Sequence, residues 1–325
     1  MKKPVLQGEH VTAVCVTHNR PDLLIQCLKS LENQSHCLKA IYLVDNASTT
    51  ATREMLVRHG YIDKYGKEKK RPDCVPLFYR YLEENCGGAG GFHEALAWAL
   101  ESGSDWFFIL DDDVEATPTA VETMLRYRSQ SKCIHPLKQY EDGTPIYWEG
   151  HFDVKSGRTI FNDNQGFKNG KDWVQVNYGC FEGMLVHRDI VNKIGLPDKR
   201  FFLINDDLVY GWLASFYTQV IYINHLGLIK HRVPEKSIGF SFLRTKQLSS
   251  LVTYLSVRNH FLLAEYLRTR RISHYSIYYY IGLKVIKLLV QSILVERSYT
   301  KFLRVLQGFK DGMKGRFYRP KFLLG

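Results

Sequence analysis

A short apolar run that ends in three carboxylates, Trp106-Phe107-Phe108-Ile109-Leu110-Asp111-Asp112-Asp113, constrains this chain more than any other stretch. An extended segment that is apolar on both sides needs cover on both faces, as a parallel sheet between helices provides. The carboxyl ends of such strands are where open α/β sheets bind ligands. Side chains alternate along a strand, so Asp111 and Asp113 can share one side while Asp112 points elsewhere. Two hard oxygen donors on one side suit Mg2+ or Mn2+. The competing reading is a solvated acidic turn before a helix.

The segments before this run repeat one rhythm. Residues 11–17 read as a strand, and Pro21 suits the start of a helix carrying Leu24, Cys27, Leu28 and Leu31 at helical spacing. A second strand over 40–44 ends in Asp45-Asn46-Ala47-Ser48, with a helix expected over 50–59. A third strand, 77–82, precedes Asn85-Cys86-Gly87-Gly88-Ala89-Gly90-Gly91-Phe92 and a helix expected over 93–102. The glycines let backbone approach a ligand at a helix N-terminus; they serve a tight strand-to-helix turn equally well. Strand and helix alternating at this pace give a right-handed parallel α/β unit.

After the carboxylates we expect a helix over 118–128, hairpins within 130–175, and a buried strand reaching Val186. A helix over 208–217 follows Asn205-Asp206-Asp207, and strands follow over 220–223 and 228–231. Long helices are expected over 243–267 and 277–295. The fold class is therefore α/β, a mostly parallel sheet with helices on both faces over 1–235, extended by a helical region over 236–325.

Charge divides the same way. Residues 236–325 carry 17 Lys and Arg against 3 Asp and Glu, which leaves the preceding body slightly acidic. A basic tail meets anionic membrane, acidic partners or nucleic acid, and no nucleic-acid module is present. Its Leu, Ile, Tyr and Phe interleaved with cations fit helices lying on an anionic membrane surface; helices packed on the body or on a second copy are the alternative. Seven scattered cysteines without a CxxC pair fit a reducing compartment. No signal-peptide pattern is seen, and no stretch of about 18 uninterrupted apolar residues, so no spanning helix is expected.

Taken together, Thr17-His18-Asn19-Arg20-Pro21, Val44-Asp45-Asn46-Ala47-Ser48, the Asn85–Phe92 tract, Asp111-Asp112-Asp113, Asn205-Asp206-Asp207 and His231 form a specific order. It resembles the family 2 glycosyltransferases of GT-A fold over about residues 10–235, and within them the bacterial galactofuranosyltransferases and rhamnosyltransferases. The resemblance implies that Thr17, Arg20 and Asp45 line a nucleotide pocket. Asn85 and Gly88 lie beside the sugar nucleotide, and Asp111 and Asp112 contact it. Asp111, Asp113 and His231 would hold the metal. Asp207 would be the catalytic base, with Asp206 beside it. Tyr178, Phe181 and Trp148 are candidates for stacking on acceptor sugars, with core packing the alternative. Where the family often has paired tryptophans, this chain has Cys180-Phe181.

The implied function is an inverting, metal-dependent transfer of galactofuranose from a UDP-sugar donor to a lipid-linked or oligosaccharide acceptor. The setting would be the cytoplasmic face of a bacterial membrane, in a chain that can also self-associate. The chemistry needs a general base for the acceptor hydroxyl and a cation for the departing diphosphate. Two acidic clusters at apolar strand ends supply candidates for both, although helix capping also accounts for Asp206-Asp207. Alternatives are a rhamnosyltransferase using dTDP-rhamnose and a non-catalytic glycan-assembly protein. A sugar-phosphate nucleotidyltransferase normally opens with a basic Gly-rich loop, which Thr17–Arg20 is not.

Overall fold

The computed structural model describes residues 8–69, 71, 74–163, 165–167, 170–231, 237–238, 245–246, 248–272 and 275–318. The boundary expected at 235/236 lies outside them. Strands β1 (Val11–Thr17), β2 (Ala40–Asp45), β3 (Leu77–Tyr81) and β4 (Trp106–Asp111) alternate with helices α1 (Pro21–Glu32), α2 (Thr50–Arg58) and α3 (Gly87–Leu100). Then come β5 (Val114–Ala116), α4 (Ala120–Leu125), β6 (Cys133–Tyr140), β7 (Pro145–Ile146), β8 (Gly150–Asp153) and β9 (Arg158–Phe161). They are followed by β10 (Trp173–Val176), β11 (Met184–His187), α5 (Arg188–Ile194), α6 (Asp206–Ala214) and β12 (Val220–Lys230). A small pair, β13 (Ser237–Ile238) and β14 (Thr245–Lys246), precedes α7 (Ser250–Thr269), α8 (Tyr275–Leu294) and α9 (Tyr299–Met313).

The main sheet runs β10-β12-β6-β11-β4-β1-β2-β3. Its β3-β2-β1-β4 half is parallel, with Val14 opposite both Tyr42 and Ile109. Past β4 it is mixed: β11 is antiparallel to β4 and β6, while β12 is parallel to β6. β1 is buried along its whole length, as its apolar and β-branched content requires. One face packs Leu24, Cys27, Leu28 and Leu31 of α1; the other packs Phe92, Ala95, Leu96 and Ala99 of α3. Truncating Leu28 to Ala in so filled a core costs about 2–5 kcal/mol.

Four expectations change. The glycine-rich tract is helix rather than loop, because α3 already begins at Gly87. Gly91 packs the helix onto β1: a Cβ there would meet Val16 Cγ1 at 2.6 Å. The two strands expected after Tyr217 are one, β12. The helix expected from 243 begins at Ser250, and α9 was not expected. Finally, α8 is long and apolar enough to cross a membrane by length and composition. Lys284 and Lys287 break its apolar run while its average stays high, so a search for unbroken runs misses it.

A third core cluster joins the helical region to the body. Phe201, Leu208, Val209, Trp212 and Leu213 pack with Val257, Leu262, Leu263 and Leu267 of α7 and Ile277 and Ile281 of α8.

Candidate active site

The carboxyl ends of β1, β2 and β4 converge, as the parallel register requires. A cavity of about 330 Å3 there is lined by Thr17, Arg20, Asn85, Gly88, Asp111, Asp112, Asp113, Glu182 and Lys230, among others. Asp45 faces an adjoining cavity of about 360 Å3 with Arg53, Tyr79 and Tyr81. Its carboxylate is held by the Ser48 amide at 2.9 Å and the Tyr79 hydroxyl at 2.9 Å.

Asp112 turns away from its neighbours. It accepts from the Thr17 hydroxyl at 2.6 Å and the His18 amide at 3.2 Å, and pairs with Arg20 at 2.7 Å. Arg20 also reaches Asp113 at 3.2 Å. Asn85 is tied into the scaffold: its Oδ1 accepts from the Gly87 amide at 2.8 Å and from Asn46 at 3.2 Å. Of the glycines, Gly88 lines the cavity. A Cβ on Gly87 (φ +74°) would strike the Phe202 carbonyl oxygen at 2.0 Å, so that glycine admits the loop carrying the second acidic cluster.

Asp111, Asp113 and Glu182 offer carboxylate oxygens that lie within 4.8 Å of one another. One Glu182 oxygen, Oε2, is buried without a hydrogen-bond partner. Three hard oxygens with one left unsatisfied suit a divalent cation. Burial, with Glu182 and Asp113 alongside, pushes the Asp111 carboxyl well above the usual carboxylate range, as a cluster short of positive charge requires.

His231 does not join this cluster. Its ring nitrogens pair with Glu141 at 2.6 Å and Glu115 at 3.2 Å. The residue that reaches the carboxylates is Lys230, at 2.8 Å from Asp113 and 2.5 Å from Glu182. Neighbours at a strand end point in opposite directions, so placing Lys230 over the cluster turns His231 away. Burial works to lower the pKa of Lys230, but Glu182, Asp113 and Asp111 outweigh it and raise that pKa above the ordinary lysine value.

Asp206 and Asp207 open α6, and no side chain caps that helix through Asn205. Asp207 accepts from the Leu208 amide at 2.7 Å. Burial raises both carboxyls above their usual range; Asp207 adds to the rise in Asp206, and Glu182 adds to that in Asp207. Phe202 and Leu203 line the same cavity as Asp111 and Asp113, which brings the loop ahead of Asp206 and Asp207 to the first acidic group. The loop before them is strained, with Phe202, Ile204 and Asn205 all at positive φ, between 63° and 71°. Asn259 of α7 holds it, donating through Nδ2 to the carbonyls of Phe201, Leu203 and Ile204 at 3.0, 2.7 and 2.8 Å. Fully buried Arg258 adds bonds to the carbonyls of Arg200 and Phe201 at 2.8 and 2.9 Å.

The aromatic candidates separate. Trp148 borders the site, with the Lys230 ammonium 5.3 Å from its ring centre. Phe181 is core, 4.7 Å from Phe92 and 5.4 Å from Tyr210 between ring centres. Tyr178 is buried in the third cluster, so neither it nor Phe181 offers a face to an acceptor. An apolar aromatic fills a core at lower cost than it lines a wet cleft.

Sequence reasoning missed Glu182, Lys230 and Asn259. It also missed the buried Lys138, which donates to the Glu182 carbonyl at 3.1 Å and pairs with Glu149. A lysine at the end of the apolar strand β12 and a Glu between Phe181 and Gly183 were the available signals.

A model of the family described as "Glycosyl transferase family 2" matches residues 12–195. Galactofuranosyltransferase GlfT1 of Mycolicibacterium smegmatis is 26% identical over 210 residues, covering 62% of this chain and 63% of the relative. The chain thus matches just under two thirds of that relative's length. Among solved structures, S. aureus TarS 1-349 in complex with UDP-GlcNAc superposes with a TM-score of 0.54 at 13% identity, covering 95% of this chain and 93% of that one. Mannosyltransferase PcManGT from Pyrobaculum calidifontis, in complex with GDP-Man and Mn2+, gives a TM-score of 0.54 at 14% identity over 97% and 92%. At such identities the structures establish the fold.

Proposed function

The chain belongs to glycosyl transferase family 2, and on that premise we propose that it transfers galactofuranose, with inversion, from UDP-galactofuranose to a hydroxyl of a lipid-linked cell-surface glycan. The observation that carries the reaction class is an oxygen-rich cluster, Asp111, Asp113 and Glu182, in the cavity at the parallel strand ends, with a second acidic pair, Asp206 and Asp207, opening α6 just after the loop residues Phe202 and Leu203 that line the same cavity. The 26% identity to a galactofuranosyltransferase supports the sugar.

The nucleoside sits over the ends of β1 and β2, its base beside Asp45, Tyr79 and Tyr81. Arg20 and the Gly88 backbone border the diphosphate. Asp111, Asp113 and Glu182 would hold Mn2+ or Mg2+, which when bound would supply a Lewis acid for the charge on the leaving diphosphate. Lys230 supplies a second positive charge at the same place. Asp207 takes the proton of the acceptor hydroxyl as it attacks the anomeric carbon. Burial suits it to that task, since a base with a raised pKa is the stronger proton acceptor. Asp206 orients the acceptor, and Trp148 offers it an aromatic face. Basic helices seat the enzyme at the inner face of the membrane, where a lipid-linked acceptor resides.

The test is donor turnover by the purified chain, with and without Mn2+, offering UDP-galactofuranose, UDP-galactopyranose, UDP-glucose and dTDP-rhamnose with a synthetic lipid-linked galactoside. Selective use of UDP-galactofuranose upholds the reading. Preference for dTDP-rhamnose keeps the mechanism and replaces the sugar.

A further inference from the structure

Helix α9 is docked the wrong way round for a helix facing water. It meets α7 through Val305, Gly308, Asp311 and Gly312, so closely that a Cβ on Gly308 would lie 2.5 Å from the Tyr254 carbonyl oxygen. Asp311 is turned inward and accepts from the Tyr254 hydroxyl at 3.0 Å. The opposite side shows Tyr299, Leu303, Leu306 and Met313 to solvent, with Met313 64% exposed. These residues recur every three to seven positions and form one stripe. Helix α8 does the same: it buries Ile277, Ile281, Val285 and Leu288 and exposes Tyr275, Tyr279, Ile286 and Ile293, with Ile286 60% exposed.

Between α7, α8 and α9 lies a cavity of about 520 Å3. Phe261, Ile281, Phe309 and Phe317 wall it; Tyr278 and Met313, which are exposed, carry it out toward the two stripes. Its polar contributors are Glu265, whose charge is met by Arg200 at 2.9 Å, and the exposed Arg268. Apolar walls of this size with one cation at the edge match an amphiphile with an anionic head.

We propose that this cavity takes the hydrocarbon chain of a lipid phosphate, with the phosphate against Arg268, while the outward faces of α8 and α9 rest in an anionic bilayer. The partner's chemistry follows from charge. The region 236–325 holds 17 basic against 3 acidic residues, so a second copy would meet like charge where an anionic lipid meets its complement. Position supports it too. Leu251, near the start of α7, lines the donor cavity, and Phe261 to Arg268 line this one. At the rise of an α-helix the two are roughly 15–25 Å apart along α7, a span that a phosphate-linked saccharide bridges. The inference rests on the lipid-linked reading of the acceptor given above.

Gly282 provides the test, because it lines the cavity and a Cβ there meets nothing within 4 Å. Gly282→Phe therefore fills the space without moving backbone. Binding of farnesyl phosphate to the full chain, read by calorimetry, is expected to be saturable and to weaken by about tenfold or more in Gly282→Phe. Arg268→Gln should weaken farnesyl phosphate and leave farnesol unchanged. No saturable binding, or equal binding by a folded Gly282→Phe chain, overturns the proposal.

Phosphatidylglycerol vesicles separate the two sources of the chain. If the bilayer supplies it, Gly282→Phe also lowers vesicle binding. If the acceptor supplies it, vesicle binding stays and KM rises only for lipid-linked acceptors. Ile286→Glu with Leu306→Glu should release the chain from these vesicles in either case, and retention overturns the seating. Binding is read equally well on Asp207→Asn, so the transfer reading and this one fail separately.

Discussion

The proposed donor side and the proposed base side of the site are built by different means. The donor side stands on three parallel strand ends, with Thr17, Asp45 and Asp111 fixed by the registers of β1 with β2 and β4. Its charges are met in part by Arg20 and Lys230. The base side stands on a strained loop, with three residues at positive φ, that Asn259 and Arg258 hold from a helix more than 50 positions later. A sheet edge positions carboxylates through its own hydrogen bonds, whereas a strained loop needs an external clamp to stay in place. One half of the chemistry is therefore local in sequence and the other depends on the chain's closing helices.

The largest effect that separates the halves is Asp207→Asn. Loss of the base should lower kcat by about 10²–10⁴ while UDP affinity stays within error. If calorimetry showed UDP affinity falling in step, the two sides would be one unit. Next is Asn259→Leu, which removes the only side chain bonding the Leu203 and Ile204 carbonyls among the described residues. Displacing the loop should cost roughly 10–100-fold in kcat with donor Kd unchanged, and urea unfolding should show a loss of about 2–4 kcal/mol. Equal kcat in Asn259→Leu would detach α7 from the base side.

The pH profile sharpens the contrast further. Asp207, the proposed base, would act as a carboxylate, and burial raises its pKa. Activity should therefore disappear as pH falls through a limb above the ordinary carboxylate range, with kcat rising again as pH increases. UDP affinity measured over the same range tests whether that limb belongs to the base side. The smallest change expected is in Arg20→Lys: a lysine cannot bridge Asp112 and Asp113 as a guanidinium does, so UDP binding should weaken a few-fold with kcat nearly unchanged.

These contrasts explain what could be read from residues alone. The parallel half was legible because β1, β2 and β4 are largely apolar runs that end in a polar signature. The pairing in the mixed half was not, because β11, β6 and β12 pair across long stretches with no local mark of direction. The placement of Tyr178 and Phe181 could not be read either, since an aromatic near a catalytic motif looks the same whether it lines a cleft or fills a core. In α9 the helical spacing of Phe302, Leu306, Phe309 and Met313 was a signal available in the sequence, whereas an inward face of Val305, Gly308, Asp311 and Gly312 was not.

The sequence by itself determined the α/β body, the carboxylates at the end of β4, the acidic pair before Leu208 and the basic tail, since period and charge are local properties of the chain. The tertiary structure alone decided that Glu182 and Lys230, rather than His231, meet Asp111 and Asp113. It also decided that Asn259 holds the loop before the base. Both depend on contacts between residues 48 to 117 positions apart, and neither strand alternation nor helical periodicity carries information over such distances.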